Sequence, residues 1–230
     1  MKTHAEASCA GPPLRGLCAY LRDPVSALTH LTGALLAILG LIALVRAAVH
    51  PVVKPWHIVA FSIFGAGLIC LYTASGLYHA MKISEEGIRI LRRVDHMMIF
   101  ILIAATYTPF CLISLRGGWG WSIFGVVWGL ALLGILIKIF WIEAPRWLST
   151  IIYIGMGWVV LVCMVPLVAV LTSHAMFWLC LGGVSYTIGA IIYAVRWPNP
   201  WPRVLGFHEI FHVLVMGGSL AHFWVIYRYV

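Results

Sequence analysis

The sequence predicts an all-α fold: a polytopic membrane protein built as a bundle of seven transmembrane helices, with its N-terminus in the cytoplasm. Three observations carry this prediction. The composition is strongly apolar, with 63% hydrophobic and only 10% charged residues and a mean hydropathy of +1.00. Apolar runs of about 20 residues, long enough to cross a bilayer, recur along the chain. The charged residues gather mainly between these runs.

The seven predicted spans follow one another through short connections and leave no room for a soluble domain. They cover residues 26–48, 55–80, 95–114, 121–141, 149–171, 175–195 and 206–227. The first 22 residues mix prolines with charges and lack the apolar core of a cleavable signal peptide. We therefore expect a flexible N-terminal tail, residues 1–22, followed by a membrane domain, residues 23–230.

The distribution of lysine and arginine predicts the orientation of the bundle. With the N-terminus inside, the cytoplasmic side carries eleven basic residues: Lys2, Arg15, Arg22, Lys82, Arg89, Arg92, Arg93, Lys138, Arg146, Arg196 and Arg203. The other side keeps four: Arg46, Lys54, Arg116 and Arg228. The net charge of +8 is thus explained by membrane topology, and we expect membrane lipids rather than nucleic acid as partners. The oligomeric state is left open.

Ionisable residues at the ends of three spans predict a functional site. His79 ends the second span, Asp95 begins the third, and His208 and His212 begin the last. In the predicted topology all four lie at one depth near the cytoplasmic side. Such side chains are costly in a membrane unless they have partners, so their convergence indicates function.

The three histidines predict a zinc site. His208 and His212 are four residues apart and share a helix face, and His79 offers a third imidazole. Three neutral imidazoles leave one position of a tetrahedral zinc open, which is typical of catalytic sites. Zinc lowers the pKa of a bound water to roughly 7. Asp95 would then act as general base towards that water, or would fix a ligand imidazole.

Two neighbouring residues have alternative roles. Ser75 lies one turn before His79, where its hydroxyl would hold the zinc water or a substrate carbonyl, or would bond to a carbonyl of its own helix. His30 and His96 are accessory candidates, and either one as a fourth ligand would close the coordination and favour a structural zinc.

Residues 208–212 also match the H-E-x-x-H pattern of zinc metalloproteases. In that interpretation Glu209 is the general base. Alternatively Glu209 pairs with a basic residue such as Arg92 or Arg203. A haem held by facing histidines is a further possibility that no feature of the sequence demands.

Five stretches resemble the haemolysin III branch of the progestin and adiponectin receptor (PAQR) family. They are Asp23–His30, Ser75–His79, Asp95–Phe110, Gly206–His212 and Ser219–Phe223. The resemblance implies a seven-helix bundle with zinc held by His79, His208 and His212, with Asp95 at the zinc water and Ser75 lining the site. Asp23 and Ser26 depart from the glutamate and asparagine expected there, outside the metal set.

The family is similar to alkaline ceramidases, and its bacterial members are linked to membrane homeostasis. The resemblance therefore implies zinc-dependent hydrolysis of a lipid amide or ester, in the bacterial inner (plasma) membrane. Three alternatives stay open: a non-catalytic sensor or receptor with a structural zinc, a cytolytic pore-former, and an intramembrane metalloprotease of the H-E-x-x-H type. The chain lacks the long soluble N-terminal region of the animal receptors, so receptor behaviour of that kind is not expected.

Overall fold

The computed structural model describes residues 15–141, 145–201 and 204–230, and these residues form helices and no β-sheet. The α-helices are α1 (Arg15–Tyr20), α2 (Pro24–Val49), α3 (Pro55–Ala80), α4 (Glu85–Pro109), α5 (Gly118–Phe140), α6 (Arg146–Gly157), α7 (Met164–Val170), α8 (Ser173–Val195) and α9 (Phe207–Tyr229). A π-helix, Phe110–Ser114, continues α4, and a 3-10 helix, Trp158–Cys163, joins α6 to α7.

Seven helical segments in the described part of the chain are long and apolar enough to cross a membrane. They are α2, α3, α4 with its π-helix, α5, α6 with α7, α8, and α9. The predicted all-α bundle of seven spans is confirmed. Which side of the membrane holds the N-terminus stays a prediction.

The third span begins ten residues earlier than predicted, at Glu85 instead of residue 95. Ser84 caps the helix, because its hydroxyl accepts a hydrogen bond from the backbone N–H of Gly87 at 3.3 Å. Glu85 and Glu86 lie in the first turn, where the helix dipole favours negative charge. The prediction that Asp95 lies in the first turn is therefore wrong. That prediction used hydropathy alone. The charged residues between positions 85 and 93 lower the hydropathy of the first turns, although capping stabilises the helix there.

The fifth span is interrupted near its middle. Pro166 lies in the first turn of α7 and cannot donate a backbone hydrogen bond to the preceding turn, where the chain forms a 3-10 helix. Tyr107 of α4 compensates for this irregularity: its hydroxyl donates to the carbonyl of Gly157 at 2.6 Å and accepts from the N–H of Val160 at 2.8 Å. A single side chain thus satisfies backbone groups that lipid could not.

The chain before α2 packs against the end of α3. The N–H of Asp23 donates to the carbonyl of His79 at 2.9 Å, and the N–H of Arg22 donates to that of Ala80 at 3.3 Å. Lys82 donates to the carbonyl of Ala19 at the end of α1. Residues 1–14 of the predicted tail lie outside the described residues, so the division into tail and membrane domain stays a prediction.

The main apolar core contains buried residues from all seven spans and includes Phe64, Leu68, Leu102 and Val225. A smaller cluster joins α4 to α5 and α6. The bundle contains a cavity of about 820 Å³, whose lining includes polar residues such as His79 and apolar residues such as Leu102. The cavity therefore extends from the candidate site residues into the apolar interior of the bundle.

Candidate metal centre

Three imidazoles from two helices meet at one end of the cavity. His79 comes from the last turn of α3, and His208 and His212 come from the first two turns of α9. One ligand nitrogen from each ring can be chosen so that all three lie within 4.8 Å of one another. The Nε2 atoms of His79 and His208 are 3.1 Å apart. The structure therefore brings together the three residues that the sequence assigned to the metal.

The start of α9 is fixed by local hydrogen bonds, which set where its two histidines lie. The Oε2 of Glu209 accepts from the backbone N–H of Gly206 at 2.8 Å, as in a capping box. The side-chain oxygen of Asn199 accepts from the N–H of Phe207 at 3.0 Å. These bonds satisfy N–H groups that a helix end leaves without intrahelical partners, and they hold His208 and His212 in register with His79.

Asp23 controls the tautomer of His79. The Nδ1 of His79 lies 3.1 Å from the Oδ2 of Asp23, and since a carboxylate only accepts, Nδ1 is the donor. The neutral ring then carries its free lone pair on Nε2, the atom that faces His208. A carboxylate behind a histidine that faces a metal position is a common arrangement in metal sites.

The same carboxylate also bonds to Arg22, whose Nε lies 3.0 Å from Oδ2. Burial opposes the ionisation of Asp23, but the hydrogen bond to His79 and the nearby positive charges outweigh it and hold the pKa of Asp23 below its ordinary value. Asp23 is therefore ionised at neutral pH and able to accept from His79.

Glu209 is committed to two structural hydrogen bonds. Its Oε1 accepts from the hydroxyl of Ser26 on α2 at 2.8 Å, while its Oε2 closes the start of α9. The sequence suggested Arg92 or Arg203 as its partner, and Arg203 lies outside the described residues. The observed partners give Glu209 the task of joining the first and last spans.

The two accessory histidines lie beside the triad but are not part of it. His30 stacks on His212 with ring centroids 3.6 Å apart and an interplanar angle of 9°, so the rings meet face to face. His96 uses Nδ1 towards the carbonyl of Arg92 at 2.7 Å, and its Nε2 lies 3.4 Å from the hydroxyl of Tyr193. Among the described residues, the group that could hold an ion comprises His79, His208 and His212.

Asp95 and Ser75 line the same cavity as the three histidines. Asp95 lies 3.7 Å from the Nδ1 of His96 and is almost buried. Ser75 is 1% exposed. Thr106 and Thr108 donate to carbonyls of their own helix, whereas in the described part of the chain the Ser75 hydroxyl makes no such bond. That contrast favours the role in which Ser75 faces a ligand.

One pair of the three donor nitrogens has the spacing that a shared zinc requires. Two nitrogens that share one zinc, at bonds of about 2.0–2.1 Å, cannot be more than roughly 4.2 Å apart, and the His79–His208 pair meets this limit. His212 is 1% exposed, and within the described residues its Nδ1 has no hydrogen-bond partner. A buried ring with an unpaired nitrogen is expected to have a further partner. An ion held by the triad would give the His212 ring one such partner.

Sequence reasoning missed Asp23, which it placed outside the metal set. Asp23 is not among the three residues that could hold the ion, but it contacts one of them. A signal for this contact existed: Asp23 immediately precedes the first span and His79 closes the second, and the facing ends of successive antiparallel helices lie close together.

Comparisons with known proteins agree with this architecture. Residues 18–223 match the family described as Haemolysin-III related. A Hemolysin-3 homolog of Bacillus subtilis (strain 168) is 39% identical over 204 residues, which cover 89% of this chain and 92% of that protein. Hemolysin-3 of Bacillus cereus is 38% identical over 213 residues, covering 92% and 93%. The human monocyte to macrophage differentiation factor is 22% identical over 181 residues, covering 76% and 71%.

Proposed function

The chain belongs to the haemolysin-III related family, as a multi-pass integral protein of the bacterial plasma membrane, and we propose that it is a zinc-dependent hydrolase of a lipid amide or ester that serves membrane lipid homeostasis. One observation carries the proposal. Three converging imidazoles lie at one end of a cavity of about 820 Å³ inside a membrane bundle. The cavity would thereby place the acyl chain of a lipid next to a reactive metal site.

His79, His208 and His212 would hold the zinc. Bound by three neutral imidazoles, zinc makes a water acidic enough to act as a nucleophile near neutral pH and polarises a carbonyl oxygen. Asp23 keeps the lone pair of His79 directed at the metal position, since its carboxylate accepts the hydrogen bond that Nδ1–H donates. The charge of Asp23 also offsets part of the positive charge that the ion brings near hydrocarbon.

Asp95 would be the general base, and Ser75 would orient the substrate carbonyl or the water. A carboxylate near the reacting water accepts its proton as the new bond to carbon forms, and then returns a proton to the leaving amine or alcohol. Glu209 is less suited to this task, because both its oxygens already accept structural hydrogen bonds. This difference favours Asp95 over the metalloprotease interpretation.

The cavity offers room for the chain of a lipid substrate. Its wall includes apolar side chains of several helices, among them Leu71, Leu102 and Val215, together with the polar residues at the histidine end. Mostly apolar pockets with a few convergent polar groups are typical of small-molecule sites. A lipid entering sideways from the membrane would place its acyl chain along this wall and its amide or ester bond at the histidines.

The position of the accessory histidines supports a catalytic over a structural zinc. A structural site is closed by four protein ligands, whereas a catalytic site keeps one position for water or substrate. His96 is hydrogen-bonded elsewhere, and His30 presents its ring face to His212 instead of a nitrogen. This arrangement disfavours the sensor alternative, in which one of them would complete the coordination.

The proposal is tested by exchanging Asp95 for asparagine. Asp95→Asn keeps the size of the side chain but removes its basicity, so the purified protein should retain zinc while hydrolysis of ceramide-like amides falls by about 10²–10⁴-fold. Glu209→Gln is the matched control and should retain most activity. Metal analysis and product formation are measured on the same samples. Lipid profiles of cells that express the wild type or Asp95→Asn at equal levels extend the test to unknown substrates.

Two results would contradict the proposal. The first is a zinc-loaded wild type that hydrolyses neither amides nor esters and leaves cellular lipids unchanged, which would leave a structural zinc. The second is loss of activity in Glu209→Gln with full activity in Asp95→Asn, which would assign the base to the H-E-x-x-H motif.

A further inference from the structure

A second group of polar side chains lies deeper in the bundle and takes no part in the proposed chemistry. We call it the inner polar group; it consists of Tyr72 on α3, Tyr186 on α8, and Ser219 and His222 on α9. The Tyr72 hydroxyl donates to the Ser219 hydroxyl at 2.7 Å, and the Tyr186 hydroxyl lies 2.8 Å from the same oxygen. The rings of Tyr186 and His222 meet edge to face with centroids 5.5 Å apart.

His222 is buried without a hydrogen bond. Its side chain is 9% exposed, and within the described residues neither ring nitrogen has a partner. A neutral imidazole offers one donor and one acceptor, and buried polar groups are rarely left unpaired in native structures. Because an unpaired polar group is costly inside a membrane span, such a histidine indicates a functional site.

The backbone of α8 is shaped to admit this ring. A Cβ at Gly182 would lie 2.2 Å from Cδ2 and 2.3 Å from Nε2 of His222, distances that no side chain could tolerate. A glycine at position 182 is therefore what allows a histidine at 222. The neighbouring Gly218 plays a similar part for Tyr186, whose ring would lie 2.9 Å from a Cβ there. The lack of a side chain at Gly182 and at Gly218 thus leaves room for the rings of His222 and Tyr186.

Counting protons shows that the inner polar group has a donor to spare. Tyr72, Ser219 and Tyr186 bring three hydroxyl protons, and only two hydrogen bonds join them. Either the Tyr186 proton or the Ser219 proton is left for another acceptor. Tyr186 and His222 both line the cavity, so both are placed beside whatever the cavity holds.

The distance between the histidine triad and the inner polar group determines which part of a bound lipid would lie beside the inner polar group. His222 follows His212 by ten residues, or ~15 Å along a helix. A lipid with its amide or ester bond at the triad would pass the inner polar group part-way along its acyl chain. A plain hydrocarbon at that point would leave the imidazole and the spare hydroxyl proton unpaired.

We propose that His222 and Tyr186 form a second subsite, which binds a hydroxyl or carbonyl oxygen carried in the middle of the lipid chain. This inference rests on the proposed function, because it takes the cavity to hold an acyl chain. The inference adds a substrate class to the proposed function: the protein would prefer lipids with a mid-chain hydroxyl or carbonyl group to lipids with plain saturated chains. A site built to pair a substrate oxygen discriminates against the analogue that lacks it, because its own polar groups then stay unpaired.

The test compares matched fatty acids as probes. Zinc-loaded protein in phosphatidylcholine nanodiscs is incubated with radiolabelled octadecanoic acid, which is then displaced by unlabelled octadecanoic acid or by isomers that carry one hydroxyl near the carboxyl end, in the middle or near the methyl end. The mid-chain isomer should bind about 3- to 10-fold more tightly than the plain acid, as one or two added hydrogen bonds predict. The other two isomers should gain nothing.

Three variants locate the source of that preference. His222→Phe and Tyr186→Phe should each reduce the mid-chain preference while zinc content and the affinity for plain octadecanoic acid are retained. Tyr186→Phe removes a single oxygen atom, so it remains informative if His222→Phe fails to fold. His174→Phe is the control: it makes the same exchange at an exposed position that does not line the cavity.

The outcomes separate this inference from the proposal beneath it. If plain and mid-chain acids bind equally well, the subsite is overturned and the cavity is a plain acyl site. If both variants keep the preference, its assignment to His222 and Tyr186 is overturned. The proposed function stands in either case. If no acid binds the zinc-loaded wild type, the lipid occupancy on which both proposals rest is overturned as well.

Discussion

The helices that carry the site and the helix pair of the fifth span differ in how they are buried. About half of the most apolar stretch of α3 is buried in the bundle, and the share reaches 56% in the third span, whereas it is 17% in residues 147–170. The site helices are long and continuous. The fifth span is broken into α6, a 3-10 helix and α7. One side of the cavity is thus formed by long, well-buried helices and another by an interrupted span that is mostly exposed on the bundle surface.

Under the proposed function, this contrast would give the two parts of the wall different tasks. A metal site needs nitrogens held to a fraction of an ångström, which buried helices joined by hydrogen bonds provide. A route for lipid needs a boundary that can give way, and local opening concentrates where few apolar contacts are buried. The comparison predicts that changes in α3 and α9 act on the metal, while changes at the fifth span act on stability and access.

The largest effect is expected for His208→Ala. It removes the nitrogen that lies 3.1 Å from that of His79 and leaves two ligands, so most of the zinc should be lost. Metal content per chain, measured after dialysis against a chelator, should fall from about one to near zero. His174→Ala, at an exposed position, is the control and should keep its zinc. Full occupancy in His208→Ala would refute the assignment of the site.

A smaller effect on the same property is expected for Asp23→Ala. The change removes the acceptor that fixes the tautomer of His79 but none of the three ligands. The zinc dissociation constant should rise by about 10–100-fold, as is common for such partners of metal ligands. Competition with a zinc-sensitive dye measures it. Asp23→Glu, which keeps a carboxylate, should recover part of the affinity. Unchanged zinc affinity in Asp23→Ala would reduce Asp23 to a contact between helices.

The smallest effect is expected for Tyr107→Phe, which tests the other region. Without the hydroxyl, the carbonyl of Gly157 and the N–H of Val160 lose their partner inside the membrane. The protein should lose about 1–3 kcal/mol of stability, visible as a lower thermal unfolding temperature in detergent. Its zinc content should not change. Tyr227→Phe, at an exposed position on α9, is the control. Loss of zinc in Tyr107→Phe would mean that the two regions are not independent.

The sequence was sufficient for the parts of the molecule that depend on composition and helical spacing. Seven spans follow from hydropathy. The pairing of His208 with His212 follows from four-residue spacing, and the addition of His79 follows from the ends of the spans. The position of Asp95 within its helix was misjudged, because capping by Ser84 extends α4 beyond its apolar part.

Contacts between side chains of distant segments were not predictable in the same way. Asp23 and His79 are 56 residues apart, and Ser26 and Glu209 are 183 residues apart. Such contacts depend on how helices rotate about their own axes, and a pattern of apolar residues fixes that rotation poorly when most faces of a helix are apolar. The inner polar group was beyond reach for this reason, even though each of its members is visible in the sequence.

The hydrogen bond from Ser26 to Glu209 has a consequence for how the protein is made. A membrane protein is synthesised from its N-terminus, so α2 is inserted long before α9 exists. Ser26 must therefore wait without its carboxylate partner, and His79 without its two companions, until the last span enters the bilayer. The proposed metal site would thus be complete only in the finished chain, and a product truncated before residue 207 would lack two of its three histidines. The contact between the first and last spans can therefore form only after the whole membrane domain has been made.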